Sequence, residues 1–281
     1  MTKIDLVVAT IGRTSPVARL VSSISAQSYD KLRLIVVDQN DDQRLDALLS
    51  PYERKLSILR LRSPPGLSRA RNVALGFVEG DIVAFPDDDC WYPPNVLEDA
   101  VAVFEAHVEW DGLSIRSIDS AGRPSNIRWD RGSGPIDHFN VWRRASSISV
   151  FLRRSIVDAV GEFDEELGAG SGTPWGSGEE TDYLLRAIDA GFALWYEPSL
   201  SVHHESPQPA FDREASRSAY LSGLGNGRVL RTHRYPWWFV AYRVAQLVAG
   251  SVVFLATGRP AKARFYFAMA RGRARGWLAG H

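Results

Sequence analysis

Cysteine is almost missing: Cys90 is the only one in 281 residues. No internal disulfide can form, and no thiolate cluster is at hand for a structural zinc or iron–sulfur site, which fits a reducing compartment. No fixed-period repeat and no low-complexity tract occurs, so neither a solenoid nor disorder describes the chain. The amino-terminal MTKIDLVVAT enters an apolar run without the long hydrophobic stretch and cleavage site of a secretory signal, and a cytoplasmic location is expected. Acid is missing from one region as well. No Asp or Glu follows Glu214, whereas eleven Lys and Arg do. The formal net charge of zero therefore conceals an acidic body able to hold a cation and a basic tail suited to an anionic partner.

What is present is an ordinary globular composition, 45% hydrophobic and 23% charged. It can fill one domain with an appendage, expected as residues 1–214 and 215–281. Apolar runs at Ile4 to Ala9, Leu32 to Val37, Leu56 to Leu61 and Ile82 to Phe85 alternate with segments of helical spacing. Ser15-Pro16 opens a helix burying Val17, Leu20, Val21 and Ile24. Ser68 caps a second carrying Ala70, Val73, Ala74 and Phe77, closed by Gly80, and Pro93-Pro94 introduces a third with Val96, Leu97, Ala100, Val101 and Phe104 inward. Such alternation predicts an α/β fold, a mainly parallel sheet flanked by helices. Ligands of such sheets sit beyond the carboxyl ends of the strands, where Asp38 and Asp87 to Asp89 fall. Residues 110 to 144 read as strands and loops. Ser147 to Leu152 is a strand, Leu167 to Gly178 a glycine-rich loop, Glu179 to Ala190 a helix closed by Gly191, and Phe192 to Glu197 a late strand that Pro198 follows.

Three consecutive carboxylates repel one another unless a cation joins them. Mg²⁺ or Mn²⁺, bridging one or two Asp side chains and a diphosphate, would neutralise charge building on a leaving group; an acidic turn capping the next helix is the plainer explanation. In Gly178-Glu179-Glu180-Thr181-Asp182 the acids occupy the first turn of a helix, where they offset its dipole. The same dipole keeps Glu180 ionised, as a general base for a sugar hydroxyl requires. His203-His204 could ligate a metal or be structural. Trp175 is the one large side chain of the glycine loop.

The ordered segments IDLVVATIGR, LRLIVVDQND, GLSRARNVALGFVEGDIVAFPDDDCWYPP, SSISVFLRRSIVDAVGEFDE, GSGEETDYLLRAIDAGF and YEPSLSVHH, spanning about residues 4 to 205, together resemble a family 2 glycosyltransferase. That resemblance implies a GT-A type, Rossmann-like nucleotide-binding domain and an inverting, metal-dependent transfer from a nucleoside-diphosphate sugar. It implies that Thr10 and Asp38 line the base pocket and that Arg71 and Asn72 support nucleotide binding. Asp87 and Asp89 match the family's two-acid metal motif, with Asp89 the direct ligand and Asp87 or Asp88 addressing the ribose; His204 matches its late histidine. The family's usual Glu-Asp pair is Glu179-Glu180 here, so the base is Glu180 or its neighbour. With a sugar acceptor implied, Trp175 stacks on that sugar or pins the loop.

Residues 237 to 257 are long enough to span a bilayer, although Arg243 and Gln246 weigh against it. With the aromatic and basic residues that follow, the tail is expected to be helical and to lie on an anionic membrane at the inner face of the cell. A helix pair on the catalytic domain, or a homodimer contact, is the alternative. Nucleic acid is not expected, because the basic residues lack a recognition fold and the apolar content is high. A polyprenyl-linked saccharide acceptor, used in cell-surface polysaccharide or glycoconjugate synthesis, would account for both halves. Two rival functions are a sugar-nucleotide pyrophosphorylase, whose first loop should carry more glycine than ATIGRTSP, and a catalytically silent membrane-associated binding protein.

Overall fold

The computed structural model describes residues 1–125, 127–205 and 211–279. They form two compact units. The first comprises the described residues of Met1–Pro65, Arg69–Phe163 and Tyr183–Ser206; the second, those of Gly66–Ser68, Asp164–Asp182 and Pro207–His281.

The strands are β1 (Ile4–Thr10), β2 (Leu32–Asp38), β3 (Ser57–Arg62), β4 (Ile82–Ala84), β5 (Cys90–Trp91), β6 (Gly112–Ile118), β7 (Gly134–Pro135), β8 (Val150–Arg153) and β9 (Leu194–His204). The helices are α1 (Ser15–Ser25), α2 (Asp46–Leu49), α3 (Leu67–Leu75), α4 (Val96–Ala106), α5 (Val141–Arg144), α6 (Arg154–Val160), α7 (Glu179–Asp189), α8 (Arg213–Thr232), α9 (Trp237–Ala256) and α10 (Pro260–Leu278).

The sheet of the first unit runs β3-β2-β1-β4-β8-β6-β9-β5, with β7 added on β9. Pairing is parallel from β3 to β4, as the alternating text predicts, and mixed beyond it: β8 is antiparallel to β4 and β6, while β9 is parallel to β6. β1 and β2 carry apolar residues at nearly every position because both faces are covered. Ile4, Leu6, Val8, Leu34 and Val36 pack with α1 and α4 in one core. By the two-residue period of a strand, Val7, Ile35 and Val37 point the other way, and they are buried too. The apolar positions expected on α1 and α4 are the buried ones. Each Val, Leu or Ile so enclosed contributes roughly 1.5–3 kcal/mol.

Several local expectations are corrected. Ser15 lies inside α1 and Thr14 occupies the cap, without a side-chain capping bond. Ser68 also lies within its helix, where its hydroxyl donates to the Leu167 carbonyl at 2.8 Å. α3 ends at Leu75, before Gly80, and Phe77 is exposed. The stretch after Ser147 begins with a 3₁₀ turn, Ser147–Ser149, before β8. The last strand does not stop at Pro198. It continues to His204 across a bulge, since Ile115 pairs with Glu197 but Arg116 with Ser201. A proline has no N–H to give a ladder, and a bulge asks for none.

In the second unit, α8 and α10 cross at glycine. A Cβ on Gly223 or Gly227 would strike the backbone of residues 269 to 277, and one on Gly272 or Gly276 the backbone of Tyr220 or Leu224. These are two small-xxx-small stripes facing each other, which bring backbones closer than larger side chains allow. α9 is inverted relative to a soluble amphipathic helix. Its exposed positions include Trp237, Trp238, Tyr242, Val248, Val252, Val253 and Leu255, its mean hydropathy reaches 1.7, and only 11% of its apolar window is buried. The Arg243 side chain is half-buried, with its Nε enclosed; its backbone carbonyl accepts from Arg273 of α10, and Ser251 Oγ donates to the Ala263 carbonyl. Arg243 is thus no obstacle to an apolar outer face, and Gln246 spends a hydrogen bond on Tyr242 Oη at 2.8 Å.

Candidate active site

Parallel pairing places Thr10 beside Asp38, and Asp38 beside Arg62, at the carboxyl ends of β1, β2 and β3. Asp38 is almost wholly buried. Its Oδ1 accepts from the backbone N–H and the side-chain amide of Asn40, at 3.0 and 2.7 Å. Its Oδ2 is 3.1 Å from Arg62 but out of hydrogen-bond alignment, so this buried oxygen keeps an unfilled acceptor site. A buried acceptor without a donor is costly, and a ligand N–H would relieve it. Asn40 also accepts from the Gly12 N–H at 2.6 Å, which ties the loop after β1 to the end of β2.

The acidic triplet follows β4. Thr10 Oγ1 donates to Asp88 Oδ2 at 2.6 Å, and one Arg13 nitrogen bridges Asp88 Oδ1 and Asp89 Oδ2 at 2.7 and 2.6 Å. β5 then pairs antiparallel with β9, Cys90 opposite His204 and Trp91 opposite His203. This pairing sets His204 Nε2 3.3 Å from Asp89 Oδ1. His203 is engaged elsewhere, stacked on Trp91 with ring centroids 5.0 Å apart, while Arg19 covers Trp91 at 3.8 Å.

The neighbouring acids are driven apart electrostatically. Burial raises the Asp88 pKa, and the Thr10 hydrogen bond and Arg13 charge only partly oppose it. The hydrogen bond from His204 dominates at Asp89 and, with the His204 and Arg13 charges, holds its carboxyl down at about 2 against the cost of burial. For His204, burial disfavours the cation, but the Asp89 hydrogen bond and the Asp89 and Asp87 charges prevail and raise its pKa. Burial first, then the Asp87 and Asp89 charges, push the Cys90 thiol well above its ordinary value, so it is no ready nucleophile.

Arg71 is buried, 2% exposed, and carries the largest of the fully enclosed side chains. Its guanidinium lies over Phe85 and Phe163, donates to Ser147 Oγ at 3.0 Å and reaches Asp87 Oδ1 at 3.5 Å. Ser147 in turn donates to the same Asp87 oxygen at 3.2 Å. Asn72 is turned toward Phe163, with whose backbone its side-chain amide exchanges two hydrogen bonds, at 3.0 and 2.8 Å.

A divalent cation fits the donor set of Asp89 and His204, an ionised carboxylate oxygen beside an imidazole nitrogen. Among the described residues no group of three or more His, Cys, Asp and Glu converges as a metal cage. A cation here would therefore lean on oxygens brought by a ligand.

Glu179, Glu180 and Trp175 lie in the second unit. Glu179 is buried, 6% exposed, and packs so closely against Gly168 that a Cβ there would meet its carboxylate at 3.0 Å. Glu180 is partly exposed at the start of α7. Helix α8 supports the segment that leads to these acids. Gly178, at φ +101°, leaves no room for a Cβ beside Val229, Gly225 lies against the Ser177 backbone, and Ser177 Oγ accepts from Asn226 at 3.0 Å. His233 Nε2 meets Asp182 Oδ1 at 2.8 Å, both side chains buried. Trp175 carries Arg228 over its ring at 5.7 Å.

Of the residues predicted from sequence, the first unit thus gathers Thr10, Asp38, Asp88, Asp89 and His204, with Arg71 behind Asp87. Arg13, Asn40 and Ser147 were missed. Arg13 follows β1 in the ATIGR segment and Asn40 follows Asp38 in DQND, so their places just beyond strand ends are the signal that could have found them.

The profile described as Glycosyl transferase family 2 matches residues 5–155, over half of the chain. "Glycosyltransferase AglE" of Haloferax volcanii is 23% identical over 201 residues, 69% of this chain and 64% of that protein, so the match spans slightly under two thirds of the relative's length. Two solved structures share the fold. S. aureus TarS 1-349 superposes with a TM-score of 0.62 at 19% identity, over 97% of this chain and 91% of that one. Mannosyltransferase PcManGT from Pyrobaculum calidifontis, in complex with GDP-Man and Mn2+, does so at 0.66 and 16% identity, over 99% and 87%.

Proposed function

Because this chain belongs to glycosyl transferase family 2, we propose that it moves a sugar from a nucleoside-diphosphate sugar to a hydroxyl of a saccharide acceptor, with inversion at the anomeric carbon. The observation that carries this reading is the meeting of Thr10, Asp38, Asp88, Asp89 and His204 at the carboxyl ends of the parallel strands. The unfilled Asp38 oxygen accepts a ring N–H of the base, with Thr10 beside it. Asp87 and Asp88 address the ribose, and Arg71 with Ser147 holds Asp87.

Asp89 and His204, with Asp87 nearby, would hold a divalent cation, Mn²⁺ or Mg²⁺, which when bound supplies positive charge to the departing diphosphate. The bound GDP-Man and Mn2+ of the Pyrobaculum neighbour support this assignment. Glu180 removes the acceptor proton; its partial exposure at a helix start suits it to this role better than buried Glu179. As the proton passes to Glu180, the acceptor oxygen bonds to the anomeric carbon and the bond to the diphosphate breaks, its electron pair leaving with the phosphate oxygen. One displacement inverts the configuration. Trp175 stacks on the acceptor sugar.

The acceptor is a lipid-linked saccharide of the cell-surface polysaccharide or glycoconjugate class, and the protein sits peripherally on the cytoplasmic membrane face. The outward apolar surface of α9 and the acid-free sequence after Glu214 support this placement. Thermal denaturation with nucleoside diphosphates and nucleotide sugars, each with and without Mn²⁺, tests the donor assignment. A ligand at about 100 times its Kd stabilises by about 2.7 kcal/mol. Turnover must release a nucleoside diphosphate; absence of any metal-dependent shift across the whole set would overturn the proposal.

A further inference from the structure

Helix α8 ends with the Tyr235 N–H bonded to the Leu230 carbonyl and the Arg234 N–H to the Arg231 carbonyl, each at 3.0 Å. In this closing motif the residue after the cap turns left-handed, a position that favours glycine or asparagine. Arg234 stands there, at φ +52°. Only one other described residue besides glycine, Phe211, has positive φ. An arginine held in a strained conformation calls for a reason beyond the turn itself.

Arg231, Thr232, Arg234, Tyr235 and Trp277 line a cavity of about 350 Å³. Its lining holds two guanidinium groups and no carboxylate, and neither arginine has a carboxylate partner among the described residues. Arg231 lies 5.8 Å over the Trp277 ring. A cation in the last turn offsets the helix dipole, which accounts for Arg231. It does not account for Arg234, which lies past the helix end. Just beyond, Trp237 and Trp238 are 72% and 52% exposed and open the apolar outer face of α9. Cationic groups next to tryptophans at the border of an apolar surface are the arrangement that meets a bilayer at headgroup depth.

We propose that Arg231, Arg234 and Thr232 form a binding site for the phosphate of an anionic phospholipid headgroup. The site rests on the peripheral-membrane reading and gives it a specific contact, because a guanidinium fork matches phosphate oxygens in pairs.

The test uses the full chain, with sedimentation onto vesicles of phosphatidylcholine alone or mixed with phosphatidylglycerol. Arg234→Gly removes the charge and relieves the left-handed strain, so its Tm should equal or exceed that of the parent while its affinity for phosphatidylglycerol vesicles falls roughly tenfold. Arg231→Gln should fall similarly. Arg264→Gln removes the same charge from an exposed position of α10 and should fall clearly less. Millimolar inorganic phosphate should leave vesicle binding intact.

Equal losses in Arg234→Gly and Arg264→Gln would reduce the effect to surface charge and overturn the site. Displacement from vesicles by inorganic phosphate would make it a free-phosphate site and overturn the lipid assignment. Parent binding that Arg234→Gly leaves unchanged sinks the site while sparing the membrane reading; no binding of the parent to any vesicle sinks both.

Discussion

Replacing Gly227 by alanine sets two effects of opposite sign against each other. In an unencumbered helix the change would stabilise by about 1 kcal/mol, because glycine loses more backbone freedom on folding. At this crossing the new Cβ would lie 2.7 Å from the Trp277 nitrogen and 2.9 Å from Gly276 Cα, and closer still to the Arg273 carbonyl. Carbon atoms settle at about 3.5–4.0 Å, so α10 must withdraw by about 1 Å. All the obstructing atoms are backbone, and no rotamer change can make room. Overpacking of this kind costs about 1–3 kcal/mol; with retraction along the whole stripe it should exceed the propensity gain by about 1–2 kcal/mol. At about 2–4 °C per kcal/mol, thermal denaturation should show a fall of roughly 2–8 °C. Because α8 also holds the chain on both sides of Glu180, Ser177 through Gly225 and Asn226 and Asp182 through His233, nucleoside-diphosphate release should show kcat falling more than donor KM rises. A Gly227→Ala protein with a raised Tm would refute the close crossing.

Glu180→Gln should lower kcat by about 10²–10⁴-fold with donor affinity retained, whereas Glu179→Gln should mainly lower Tm; equal kinetic losses would reject Glu180 as the base. Trp175→Ala should raise the acceptor KM more than the donor KM, and equal changes would leave the ring a loop anchor only. In the metal-free protein, Asp89 is depressed from 3.8 to about 2, so its contribution to stability is complete above 3.8 and is lost as pH falls through about 2. His204 is raised from 6.5, so its contribution is complete below 6.5 and is lost as pH rises through its folded value. Asp89→Asn should therefore lower the His204 pKa in an NMR titration, and an unmoved titration would refute the pairing.

Periodicity carried much of the fold. The parallel strands and the inward positions of α1 and α4 could be read because a strand or helix buried against one core repeats its apolar residues at a fixed interval. Asp38 and the triplet were legible as acids at strand ends. Arg13 was not, since its two carboxylate partners lie 75 and 76 residues away and only the folded sheet brings them together. Arg243 counted against an apolar helix until α10 gave it an inner face. Gly223, Gly227, Gly272 and Gly276 gave no signal in the sequence, because their effect, removing side chains where two backbones meet, exists only between helices far apart in the chain. Pro198 looked like a terminator because a local reading cannot see a bulge.

That bulge decides which of two adjacent histidines can serve the site. Strand neighbours face opposite ways, so along an uninterrupted β9 the even-numbered residues would stay on the side of Tyr196. The pairing instead moves from Ile115 with Glu197 to Arg116 with Ser201, an odd number of extra residues. The parity of the strand is thereby reversed, and Val202 and His204 emerge on the side of Ile115 and Cys90. Residues 198–200 act as a frame-shifting switch in the backbone. Deleting or inserting one of them should exchange the roles of His203 and His204, while a change of two should leave them as they are.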